Sequence, residues 1–233
     1  MRVLTGKAET LRFGGEVMKN VAGYDVPRLM TGAIGTLGEL LEVSLKVMPV
    51  PAAEETLVQE RSTAEAIVLM NQWAGRPLPL TATCHDGDRL YLRLSGAETS
   101  VRQAASVIGG EPLSDHGTFW RSKLREQGHG FFHGHKALWR ISLPAATPRL
   151  DLPGNWLMEW GGAQRWLRTD LDASAIRKAA GAAGGHATLF RGGDRSGQVF
   201  HSLSPALLQL HRNLKQAFDP LGLFNPGRIY PEL

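Results

Sequence analysis

The chain is 233 residues long and 42% apolar, with 26 Lys and Arg against 22 Asp and Glu, a formal surplus of +4. That size and apolar share suit one large domain, or one domain with part of another, and exclude wholesale disorder. The single cysteine, Cys84, excludes a disulfide framework, a CxxC zinc site and an iron–sulfur cluster ligated by this chain alone, and it fits a reducing, intracellular setting.

No run approaches the ~18 apolar residues that a membrane-spanning helix needs. The opening Met1-Arg2-Val3-Leu4-Thr5-Gly6-Lys7 lacks the continuous apolar region of a signal peptide. In residues 1–50, Asp25 is placed to cap a short helix over 26–30, with Gly32 as its stop. Gly32-Ala33-Ile34-Gly35-Thr36-Leu37-Gly38 then sets glycines at intervals of three. Two meanings are open: backbone N–H groups there can approach an anion or a flat ring, or the glycines simply permit tight turns ahead of a strand. The spacing matches neither the GxGxxG dinucleotide fingerprint nor a Walker loop. Strict alternation over residues 41–47 predicts a half-buried strand. Pro49 and Pro51 end it and mark a boundary.

Residues 52–200 alternate helices and strands. Ser62-Thr63-Ala64-Glu65 has capping-box spacing ahead of a helix that stops at Gly75. Asp86-Gly87 between residues 78–85 and 89–94 signals a hairpin. A helix over 98–108 ends at Gly109-Gly110. After an irregular stretch, strands are expected over 138–143 and 187–190, a hairpin over 156–160 and 164–169, and a helix from a cap at Asp172 to 183. Hairpins with interspersed helices predict an α+β fold, an antiparallel sheet with helices on one face. The recurrence concerns element order only, without a sequence repeat. Ser204-Pro205 then opens a helix whose stripe is Leu207, Leu208, His211, Leu214 and Phe218, stopped by Asp219-Pro220.

Other chemistries find little support. His129, His133 and His135 share a glycine-bearing segment without a neighbouring acid or thiol to complete a metal site, so a mobile loop without metal is expected. His85 and His116 have no paired carboxylate, and Ser196 lacks a Gly-x-Ser-x-Gly elbow, which argues against a hydrolase. Phe119-Trp120-Arg121-Ser122-Lys123-Leu124-Arg125 mixes rings and cations, but basic charge is not sustained along the chain, so a solvated helix face or a docking surface is expected rather than a nucleic-acid site.

Two motifs carry a resemblance. One is the run from Phe13 to Asp25, with Arg28-Leu29 and Gly35-Thr36-Leu37-Gly38; the other is Phe218-Asp219-Pro220-Leu221-Gly222-Leu223-Phe224-Asn225-Pro226-Gly227-Arg228. Together they resemble the flavoproteins of the vanillyl-alcohol oxidase and p-cresol methylhydroxylase family, and within it the FAD-binding subunits of bacterial glycolate oxidases. The resemblance implies FAD as cofactor. It also implies a CH–OH oxidoreductase acting on a small 2-hydroxy acid, in a complex with a second flavin subunit and an iron–sulfur subunit. That complex would lie in the cytoplasm, at the inner face of the membrane, without a direct span.

On this pattern residues 1–50 correspond to the C-terminal part of a two-subdomain FAD-binding domain whose N-terminal subdomain this sequence lacks. Residues 52–200 correspond to a cap domain, and 201–233 to a helix and tail returning to the FAD domain. The cofactor-binding positions implied are Asn20, Gly23, Tyr24, Asp25, Gly32, Ile34, Gly35, Thr36, Gly38, Leu40, Asn225 and Arg228. No catalytic residue and no metal ligand is implied. The alternative is a flavin-free interaction subunit that docks onto the catalytic flavoprotein.

Overall fold

The structure, a computed structural model, describes residues 1–15 and 25–233. The chain divides into two units, Met1–Met48 with Ser202–Leu233, and Pro49–His201. In the first, β1 (Arg2–Leu4) pairs antiparallel with β2 (Thr10–Arg12) on one side and β3 (Glu39–Glu42) on the other. Between them, α1 (Val26–Met30) starts where the Asp25 carboxylate accepts the Arg28 N–H at 3.1 Å, and Gly32 follows its end at φ +83°.

The strand expected over 41–47 is corrected: β3 ends at Glu42, opposite Arg2. There β1 runs out, so the alternating residues beyond have no ladder to join. Leu45, Val47 and Met48 are each more than 80% exposed.

The second unit is built on one antiparallel sheet. Its strands are β4 (Ala53–Glu60), β5 (Leu80–His85), β6 (Arg89–Gly96), β7 (Glu111–Pro112), β8 (Ala137–Ser142), β9 (Asn155–Glu159), β10 (Gln164–Thr169) and β11 (His186–Arg191). Their spatial order is β11-β8-β10-β9-β5-β6-β4-β7. Read as two sets of four, each set has the order fourth, first, third, second. The sets join through their second strands, Cys84 opposite Glu159 and His85 opposite Met158. Each set is therefore a split βαβ arrangement, and the recurring element order is a duplication in space.

In the first set α2 (Thr63–Ala74) connects β4 to β5, and α3 (Glu98–Ile108) connects β6 to β7. The capping box is complete: Ser62 Oγ accepts the Glu65 N–H while the Glu65 carboxylate accepts the Ser62 N–H. In the second set α5 (Ala173–Ala182) connects β10 to β11, but residues 143–154 replace the first crossover helix. Pro144, Pro148 and Pro153 lie in that stretch, each lacking an N–H and clashing with the preceding helical turn.

The helices share a face, as expected. Met158 packs with α2 and α3, Trp156 with α5, and residues two apart on a strand point the same way. The opposite face is covered too. Leu157, Leu138, Trp166, Cys84 and Tyr91 pack there against Phe119 and Leu124 of a π-helical segment, Phe119–Arg125, which continues α4 (His116–Thr118). Phe119 and Leu124 are buried while Arg121, Lys123 and Arg125 are exposed, which gives that basic-aromatic run a solvated face.

The last helix, α6 (Pro205–Phe218), belongs to the first unit. Its Leu214 and Phe218 pack against Val3, Met30 and Leu37. Among the described residues no helix is long and apolar enough to cross a membrane.

Candidate functional site

In the first unit the two sequence motifs meet. After α1 the chain turns through Gly32, Ile34, Gly35 and Gly38, all with positive φ (+83°, +52°, +67° and +153°). For the β-branched Ile34 that conformation costs on the order of 1–3 kcal/mol and needs outside support. The C-terminal tail supplies it. Asn225 Nδ2 donates to the Ile34 carbonyl at 2.8 Å, and Lys215 Nζ on α6 donates to the Thr36 carbonyl at 2.8 Å.

Two glycines are required by close approach. A Cβ on Gly35 would lie 2.9 Å from Asn225 Nδ2, and one on Gly38 2.6 Å from the Leu4 carbonyl. Gly32 has open space around it. The N–H groups of Gly32, Ile34 and Gly35 make no hydrogen bond among the described residues, and all three residues are exposed. Exposed backbone donors without a partner in one turn suit an anionic oxygen.

The tail is itself fixed from beneath. Lys215 Nζ also donates to the Asp219 carboxylate at 2.7 Å and to the Phe224 carbonyl at 2.6 Å. Asp219, almost wholly buried, accepts the N–H groups of Leu223 (3.0 Å) and Phe224 (2.7 Å). Burial alone would push the Asp219 carboxyl up; hydrogen bonds from Lys215, Phe224 and Leu223, with the lysine charge, hold it below its ordinary value. Neither Lys215 nor Asp219 is among the expected site residues. The Asp-Pro step reads as a helix stop, and the available signal was the i, i+4 Lys–Asp pair in the last turn.

The remaining positions are placed as follows. Asn20, Gly23 and Tyr24 lie outside the described residues. Asp25 is engaged as a helix cap and pairs with Arg28 at 3.4 Å. Thr36 donates its hydroxyl to the Ala33 carbonyl at 2.7 Å and closes the turn. Leu40 sits in β3 opposite Val3, half exposed. Arg228 is exposed, and its N–H donates to the Asn225 carbonyl at 3.2 Å.

Below the turn is a mostly apolar cavity of about 230 Å³ between Gly32, Thr36, Leu37, His211 and Lys215. Pockets for drug-sized ligands begin near ~300 Å³, so these residues do not enclose a dinucleotide. They fit one as an edge: open N–H donors on the turn, with no side chain at Gly32 or Gly35 to obstruct the approach.

In the second unit the histidine segment differs from expectation. Arg168 on β10 gathers its carbonyls, Nε donating to Phe131 (2.7 Å), Nη1 to Gly134 (2.9 Å) and Lys136 (2.8 Å), and Nη2 to Phe132. Glycines suggest mobility in a sequence; a buried guanidinium 37 residues beyond Phe131 cannot be read there. Among the described residues no three His, Cys, Asp or Glu side chains are grouped to hold a metal.

Residues 191–229 match the family described as FAD linked oxidases, C-terminal domain. The chain is 49% identical over 232 residues to glycolate oxidase subunit GlcE of Escherichia coli (strain K12), covering all of this chain and 65% of that protein. It is 35% identical over 110 residues to glycolate oxidase subunit GlcD of Bacillus subtilis (strain 168), 46% of this chain and 23% of that one. The chain thus spans less than two thirds of the length of these relatives. Among solved structures, an alkyldihydroxyacetonephosphate synthase aligns with 97% of this chain and 52% of its own, with a TM-score of 0.55 and 15% identity, a likeness of fold.

Proposed function

We propose that the chain belongs to the FAD-linked oxidases and is part of the FAD-binding subunit of a glycolate, or other 2-hydroxy acid, oxidase complex. The observation that carries this is the 49% identity to a glycolate oxidase subunit, sustained over 232 residues. The meeting of turn and tail through Asn225 and Lys215 supports it physically.

On this reading residues 1–50 are the C-terminal part of an FAD-binding domain, 52–200 its cap, and 201–233 the return to the FAD domain. The N–H groups of Gly32, Ile34 and Gly35 would bind an anionic oxygen of the cofactor. Asn225 and Lys215 hold that turn in its strained form. Asn20, Gly23, Tyr24, Asp25, Thr36, Gly38, Leu40 and Arg228 complete the proposed set. When bound, FAD supplies the acceptor for a hydride equivalent from the α-carbon of the hydroxy acid.

These 233 residues hold a single cysteine and do not by themselves ligate an iron–sulfur cluster. The exposed Leu45, Val47 and Met48 offer apolar surface for contact with the rest of the assembly. We place that assembly in the cytoplasm, at the inner face of the membrane.

The test is the visible spectrum of the purified protein after addition of FAD and gel filtration. Flavin bands that co-elute, and that weaken in Asn225→Ala, support the reading. A folded but colourless protein overturns it in favour of a flavin-free subunit that docks onto a catalytic flavoprotein.

A further inference from the structure

β11 is an edge strand of the second unit's sheet, paired with β8 on one side only. Alternate N–H groups of an antiparallel strand turn to the same side. Those of Ala187 and Leu189 turn away from β8, and a row of open groups at an edge is a template for unwanted pairing. Past Arg191 the chain reverses through Gly192 and Gly193, at φ +69° and +65°, and returns along that edge as a strap. The Leu189 N–H donates to the Val199 carbonyl at 2.9 Å, an ordinary ladder bond. The Ala187 N–H, next in register, donates to an imidazole instead: His201 Nδ1 accepts it at 3.3 Å.

An imidazole can do this only while it is neutral. On protonation both ring nitrogens become donors, and Nδ1 then sets one N–H against another. The surroundings oppose the charged form as well. The His186 ring of β11 lies 6.5 Å away, centroid to centroid, and Arg177 of α5 adds its positive charge. Gly181, also on α5, faces the ring, where a Cβ would stand 3.8 Å from Nε2. Burial first, then His186 and Arg177, hold His201 below the ordinary histidine value.

The start of the strap is fastened by groups that keep their charge through the histidine range. Arg195 Nη1 donates to the carbonyls of Leu189 (2.9 Å) and Phe190 (3.0 Å), and Arg177 Nη2 donates to that of Gln198. Val199 packs with the core residues beneath α5. His201 stands at the far end, where the second unit gives way to Ser202 of the first. A hold that titrates therefore sits at the point from which the strap can peel.

We propose that His201 is a pH-operated latch: neutral, it keeps the strap on β11; protonated, it lets go, which opens that edge of the sheet and lengthens the connection to α6. Full release of residues 198–201 adds about 13 Å of extended chain to the connection. The direction with pH follows from the ring's two environments. Its ordinary value is 6.5, and in place it is lower, so the latched form is fully favoured above 6.5. It loses ground as pH falls below that, and the loss levels off once pH passes the lowered value.

The experiment is amide hydrogen exchange on the full chain by nuclear magnetic resonance, from about pH 7.5 to about pH 5, across the histidine range. Each rate is divided by that of an unstructured peptide at the same pH, which leaves the protection due to structure. Protection of Ala187 is expected to fall at least about threefold, while that of Thr188, whose N–H turns to β8, stays level. His201→Asn keeps an acceptor in place without titrating, and is expected to remove the fall. His186→Gln takes away one opposing charge and is expected to make the fall smaller. Far-ultraviolet circular dichroism at neutral pH checks that each variant is folded. Should one fail to fold, the wild-type contrast between Ala187 and Thr188 still decides. Protection of Ala187 that is flat with pH, that falls equally in His201→Asn, or that falls together with Thr188 overturns the proposal.

Discussion

Gly32 and Gly35 share a backbone requirement and differ in surroundings, which separates conformational strain from packing. Both have positive φ, but only at Gly35 does a Cβ meet a neighbour, Asn225 Nδ2 at 2.9 Å. Gly32→Ala is expected to cost about 1 kcal/mol, the left-handed penalty alone. Gly35→Ala adds displacement of Asn225, with loss of a hydrogen bond worth about 1 kcal/mol. Thermal melts of the two variants test the order; equal losses would mean that the Asn225 contact adds nothing. Asp219 supplies a pH test beside it. Its carboxyl is held below its ordinary 3.8 in the folded chain, so its stabilisation is full above that value and disappears as pH falls through the lower, folded value. Limited proteolysis of the tail should therefore accelerate below about pH 3.8, and Asp219→Asn should show the loosened tail already at neutral pH. Lys215→Met, which leaves that buried carboxylate unpaired, is expected to cost about 3 kcal/mol.

Elements whose signals are local were legible in the sequence. The capping box at Ser62, the Asp86-Gly87 turn and the Asp172 cap each fix a boundary through a few neighbouring atoms, and the structure places α2, the β5–β6 hairpin and α5 accordingly. What was missed depends on distant partners. β4 follows two prolines and opens with Ala53-Glu54-Glu55, which reads as a linker, yet it lies between β6 and β7. The turn at Ile34 was visible as glycines, but its support, Asn225, lies 191 residues away. The segment 129–136 is ordered by a side chain on β10 rather than by its own residues. Arg168→Met tests that dependence. It strands four carbonyls at Phe131, Phe132, Gly134 and Lys136, each now bonded to the guanidinium. A loss of about 3 kcal/mol is expected, the scale of hydrogen bonds to a charged group. Amide exchange should rise across 129–136 before it rises in the strands; a uniform rise would locate the effect in the sheet instead.

At the scale of the second unit, the question is whether its two four-strand sets unfold together. The strands at the seam pair over only two positions, Cys84 with Glu159 and His85 with Met158. The side chains bind the sets more firmly. Met158 of the second set is buried among residues of α2, α3 and β6, while Cys84 and Tyr91 of the first lie with Leu138, Leu157 and Trp166 of the second. Cores shared in this way on both faces of the sheet favour one cooperative transition. Cys84 reports on it directly, because it is the only cysteine, it is wholly buried, and it sits on the seam. Burial, and next the carboxylates of Glu159 and Asp86, push its thiol well above the ordinary value, and the thiolate is the reactive form. In native buffer the protein should leave an aromatic disulfide reagent unreacted. With rising denaturant the reaction should begin only where far-ultraviolet circular dichroism begins to fall. Thiol reaction well before that loss would mean that the seam parts while each set keeps its strands. Met158→Ala sharpens the comparison: a cavity at that position should cost about 2–5 kcal/mol and bring both signals to lower denaturant by the same amount, since a side chain lodged in the other set's core cannot weaken one set alone.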